Sequence, residues 1–134
     1  LCRLAADSAS MWLEARSAML QAKLRDGAHA GTARMALEVA TVGGAGCLGR
    51  EGELGALVPG AVGDLAVFRL DGVPFSGAVA DPVEAWLRSG PATAWHTIVH
   101  GRPVVADGRL VHPGVDEMLR LHDRHARRIQ RLDV

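Results

Sequence analysis

A polar turn followed by an apolar strand is the feature that most constrains the fold of this chain. In GALVPGAVGDLAVFRLDG, Pro59 fixes φ and Gly60 can adopt positive φ, which is typical of a β-turn. The DLAVFRL segment then places apolar residues on both faces, which predicts a strand covered on both sides. Asp64 begins this segment, and we interpret it as a turn-capping residue rather than a catalytic acid.

The segment before this turn predicts helices. Ser10–Arg25 contains no Gly or Pro and repeats apolar side chains at helical spacing. Its expected buried stripe consists of Trp12, Ala15, Met19 and Ala22. Thr32 is the expected N-cap of a second helix, whose predicted apolar face consists of Met35, Ala36, Val39 and Ala40. The glycine-rich VGGAGCLGR that follows suits either a loop or a short, closely packed helix, and we favour the helix.

The segment after the strand predicts a short helix, further strands and a final helix. Asp81 as N-cap and Pro82 at the first position favour a helix that ends at Gly90. Residues 94–112 predict strands with a tight turn at Asp107-Gly108. Beyond Pro113-Gly114, a basic amphipathic helix is expected to bury Met118, Leu121, Ile129 and Leu132 and to expose Arg124, Arg127, Arg128 and Arg131. So few strands make a sheet with open edges, which usually needs a cover.

The composition and charge of the chain limit the classes of protein to which it can belong. The chain has 134 residues, is 49% hydrophobic and carries no formal net charge, which fits one domain or a piece of a larger one. A neutral chain creates no field that attracts nucleic acid, and we predict no such partner. The sequence has no apolar run long enough for a membrane span and no signal peptide, so we expect a cytoplasmic protein. Cys2 and Cys47 have no metal-binding or redox spacing, and we expect reduced thiols.

Candidate chemical groups are few. His122 and His125 are spaced i, i+3 on the last helix and could chelate a metal, but a solvated face is favoured because no third ligand accompanies them. His96 and His100 are expected on one strand and one sheet face, where a half-exposed surface is favoured over a site. His29 and His112 lie in predicted loops. We expect three tryptophans to be packing residues, namely Trp12, Trp86 and Trp95. In a complete enzyme, Trp86 could also line a rim. We therefore assign no catalytic, cofactor-binding or metal-ligating residue.

The stretch GELGALVPGAVGDLAVFRLD resembles the C-terminal signature of the amidohydrolase superfamily. The matching positions are Gly55, Leu57, Pro59, Gly60, Gly63, Asp64 and Leu65, with Gly63 in place of the usual alanine. TARMALEVATVGGAGCLG and HTIVHGRPVVADGRLV are similar to the flanking helix pair and closing hairpin of that superfamily. SGAVADPVEAWL and ADSASMWLEARSAML are similar to the branch that acts on amino-substituted heterocycles, which includes 8-oxoguanine deaminase and hydroxyatrazine-type hydrolases.

The resemblance implies an α/β fragment of a larger fold. Residues 1–50 would be the terminal helices of a (β/α)8 barrel. Residues 51–112 would be the C-terminal half of a small β-sandwich, with a short helix inserted at about 81–90. Residues 113–134 would form a C-terminal helix.

The resemblance also implies where a metal would be bound. Full-length relatives are expected to hold Zn²⁺ or Fe²⁺ through a His-x-His pair, two further histidines and an aspartate. This sequence has no His-x-His pair, and Leu1 stands at the position of the aspartate. Asp7 matches a second aspartate that caps the following helix. We therefore expect that the start of this chain is truncated or frame-shifted. We also expect that the chain supplies no metal ligand and binds no cofactor.

Two functions follow as hypotheses. In the first, the chain is the C-terminal segment of an amidohydrolase that deaminates an amino-substituted heterocycle, and it is inactive alone because the metal ligands are missing. In the second, it is a non-catalytic assembly module that pairs with the missing barrel portion or with itself, for example as a homodimer. An unrelated small ligand-binding α/β domain is a third alternative.

Overall fold

The computed structural model describes residues 9–78 and 80–131. Cys2, Asp7 and Leu132, on which sequence-based expectations rest, lie outside the described residues. The elements in chain order are α1 (Met11–Asp26), α2 (Ala33–Ala40), α3 (Val42–Cys47), β1 (Leu65–Phe68), a 3-10 turn (Val73–Phe75), α4 (Pro82–Arg88), β2 (Ala94–Val99), β3 (Arg102–Ala106), β4 (Arg109–Leu110) and α5 (Val115–Ile129). The result is an α/β arrangement of helices and a small antiparallel sheet.

The helix ends follow the capping residues in the sequence. The Ser10, Thr32 and Asp81 side chains accept hydrogen bonds from backbone N–H groups in the first turns of α1, α2 and α4. The glycine-rich segment is helical, as α3, and it buries Ala45. Each of these helices was predicted from the sequence.

The four strands form one antiparallel sheet in the order β1-β2-β3-β4. β1 pairs with β2 from Leu65 opposite Ile98, and the register shifts after Val67. The predicted turn at Asp107-Gly108 joins β3 to β4, with φ of 50° and 73°. A second turn of the same kind, at His100-Gly101, joins β2 to β3 with φ of 51° and 74°.

The core lies among the helices rather than on the sheet. Its buried cluster consists of Trp12, Ala15, Met19, Ala33, Ala36 and Leu87. Ala22 is half-buried, so the predicted stripe of α1 is largely confirmed. Three hydrogen bonds join α1 to α4. Trp12 Nε1 donates to the carbonyl of Trp86 at 2.7 Å, and Arg16 Nη1 donates to the carbonyls of Leu87 at 2.7 Å and Arg88 at 2.9 Å.

The predicted apolar face of α2 is partly wrong. Ala33 and Ala36 are the buried members, whereas Met35 and Val39 are more than half exposed. The reason is the close approach of α2 to α1. Gly31 has φ of +64°, and a Cβ there would lie 2.6 Å from the carbonyl oxygen of Met19. Small side chains therefore form the contact, and larger ones are displaced to its margin.

Two further burial expectations are wrong within the described residues. β1 is not covered on both sides, because Ala66 and Val67 are exposed. The final helix buries no residue at all, and Met118, Leu121 and Ile129 are exposed by 52%, 38% and 79%. The physical reason is the same in both cases, since no described element lies over these surfaces.

Candidate functional site

An apolar groove is a prominent concave feature of the described residues. It has a volume of about 560 Å³ and runs between the helices and β1. Its lining includes Met11, Leu37, Leu57, Leu65, Phe68 and Trp86. The lining is mainly carbon, so the groove suits an apolar occupant better than a charged ligand.

Close backbone contact positions one wall of the groove. Gly55 has φ of +86°, and a Cβ at this position would lie 2.8 Å from the carbonyl carbon and oxygen of Thr41. The loop that contains Gly55 can therefore lie directly against the α2–α3 junction. This contact holds Ala56 and Leu57 at the groove, where Leu57 is 78% exposed.

Trp86 joins the helices to the sheet at the base of the groove. Its ring lies 5.2 Å from that of Phe68, tilted by 54°, while its carbonyl accepts the hydrogen bond from Trp12. Its own Nε1 is buried and has no hydrogen-bond partner among the described residues. Trp86 is therefore a packing residue, as the sequence predicted, and its side chain also lines the groove.

Asp64 has a structural role at the mouth of β1. Its Oδ1 accepts a hydrogen bond from the backbone N–H of His100 at 2.5 Å, across 36 residues of sequence. This bond supports the prediction that the Asp64 carboxylate caps a turn. The turn that it caps follows β2, however, and is not the turn that precedes β1. The prediction that His100 lies in the same strand as His96 is wrong, because β2 ends at Val99.

The remaining histidines do not converge. His96 Nε2 lies 3.8 Å from Asp107 Oδ1, and the His96 ring meets Trp95 edge-on. His112 Nδ1 accepts from the N–H of Gly114 at 3.0 Å. His122 and His125 are exposed on α5, as is His29 in its loop. Within residues 9–78 and 80–131, no three His, Cys, Asp or Glu side chains come together as a metal site, so these residues do not fit a catalytic metal.

The charged groups of the surface form pairs away from the groove. Hydrogen bonds from Arg25 lower the pKa of the Asp26 carboxyl, and the same bonds raise the pKa of the Arg25 guanidinium. Arg69 lies over the Trp95 ring at 4.7 Å and pairs with Asp71 beside a second cavity of about 380 Å³. These pairs are structural features of the surface.

No helix in the described part is long and apolar enough to cross a membrane.

The fold and the groove define an α/β unit with an uncovered apolar surface and no metal centre in its described part. Residues 3–109 match the model of the amidohydrolase family. The chain is also similar to 8-oxoguanine deaminase of Pseudomonas aeruginosa, with 43% identity over 102 residues, which is 76% of this chain and 22% of that enzyme. The chain therefore belongs to the amidohydrolase family, as the signature in its sequence predicted.

Solved structures of other proteins also resemble this chain in fold. Atrazine chlorohydrolase TrzN of Arthrobacter aurescens, complexed with zinc, superposes with a TM-score of 0.71 at 30% identity, over 82% of this chain and 25% of that one. An adenosine deaminase of Xanthomonas campestris with bound zinc shares the fold, with a TM-score of 0.78 at 22% identity, over 90% of this chain and 28% of that one. The chain thus spans about a quarter of the length of these relatives.

Sequence reasoning identified the family signature but not the groove. Gly55, Leu57, Asp64 and Leu65 were singled out as signature positions, and all four line the groove. Met11 and Leu37, on two different helices, are among the other lining residues. The signal that could have found the groove was the surplus of apolar residues on the outer faces of α1 and α2.

Proposed function

We propose that this chain is part of a hydrolase that cleaves a non-peptide C–N bond by deaminating an amino-substituted heterocycle. The identity with 8-oxoguanine deaminase and the likeness to a triazine hydrolase support this substrate class. In this proposal the described residues contribute structure, and the catalytic groups lie elsewhere in the complete fold.

One observation supports the structural role: the groove is lined mainly by apolar residues, and no metal-ligand cluster accompanies it within the described residues. A hydrolytic zinc needs three protein ligands and an open position for water. The zinc or iron expected in full-length relatives would therefore be held by residues outside the described part.

The groove is then a surface onto which the rest of the fold packs. Exposed apolar side chains continue from it along α1 and α2, including Met11, Leu13, Met35 and Val39. Fully burying an exposed apolar side chain of this size contributes roughly 1.5–3 kcal/mol, and these side chains, already about half covered, would contribute part of that. We propose that the partner is the remaining barrel portion, with residues 1–50 as terminal barrel helices and 51–112 as part of the sandwich. A cytoplasmic location is part of the same proposal.

An assay of ammonia release tests the proposal. The purified 134-residue chain is mixed with guanine-type and triazine substrates, with Zn²⁺ or Fe²⁺ added. We expect no release above the buffer rate, because the described residues supply no metal site. Metal-dependent turnover by this chain alone would contradict the structural role.

A chimera tests the positive half of the proposal. In it, this chain replaces the corresponding segment of the Pseudomonas aeruginosa 8-oxoguanine deaminase, to which it is 43% identical. We expect the chimera to bind its metal and to release ammonia. Phe68→Asp should abolish this by placing a charge in the groove, whereas Val73→Asp should not, since Val73 is 89% exposed and lies outside the groove lining. Equal effects of the two substitutions would argue against docking through the groove.

A further inference from the structure

We draw no further inference here: the strongest candidate, the exposed apolar face of α5 that includes Met118, Leu119 and Ile129, carries none because nothing in the described residues shows what covers it.

Discussion

Single backbone positions determine how closely the segments of this protein pack. Gly55 and Gly31 both have positive φ, and at each a Cβ would meet backbone atoms at under 3 Å. Gly55 belongs to the family signature, and the structure gives the physical reason for a glycine there. Gly63, from the same signature, has open space around it and no such constraint. The signature thus combines one glycine that the packing requires with one that it does not.

We predict that Gly55→Ala destabilises the chain by about 2–4 kcal/mol, since the added Cβ requires a strained φ and displaces the backbone of Thr41. Urea unfolding followed by circular dichroism measures the change. Gly63→Ala is the matched control, and it should be neutral or stabilise by up to about 1 kcal/mol through the unfolded state. If both substitutions cost the same, the close approach of Gly55 does not determine the stability of this region.

At the level of elements, local signals predicted secondary structure well and burial poorly. The capping residues Thr32 and Asp81 located two helices, and the Gly- and Pro-free run from Ser10 located a third. The Asp107-Gly108 pair located a turn. Amphipathic spacing predicted a buried face for α5 that the described structure does not show. Caps and turns depend on a few neighbouring residues, whereas burial depends on which distant element lies opposite. The sequence pattern records that a face is apolar but not what covers it.

The contact between α1 and α4 gives a prediction at this scale. Arg16 Nη1 donates to the carbonyls of Leu87 and Arg88 at 2.7 and 2.9 Å, and so satisfies the last turn of α4. Arg16→Ala should destabilise the chain by about 1–3 kcal/mol, because two charge-assisted bonds are lost, one of them part-buried, at the carbonyl of Leu87. The control is Arg25→Ala on the same helix, whose partner Asp26 is exposed at the surface. An equally large loss from Arg25→Ala would show that the bridge to α4 is not the cause.

At the scale of the molecule, the described part has a small helical core and an extensive apolar exterior. The core cluster contains six residues, while exposed large apolar side chains occur on every helix from α1 to α3 and on α5. This distribution fits a unit that packs against further structure through the groove. The groove itself could not be predicted from the sequence, because its walls come from segments far apart in the chain.

Zinc stoichiometry distinguishes a purely structural role of the described residues from a metal centre among them. The purified chain is equilibrated with excess Zn²⁺, dialysed against metal-free buffer and analysed by mass spectrometry. We predict far less than one zinc ion for each chain. One retained zinc ion for each chain, lost on substitution of His or Asp side chains of the described part, would contradict it.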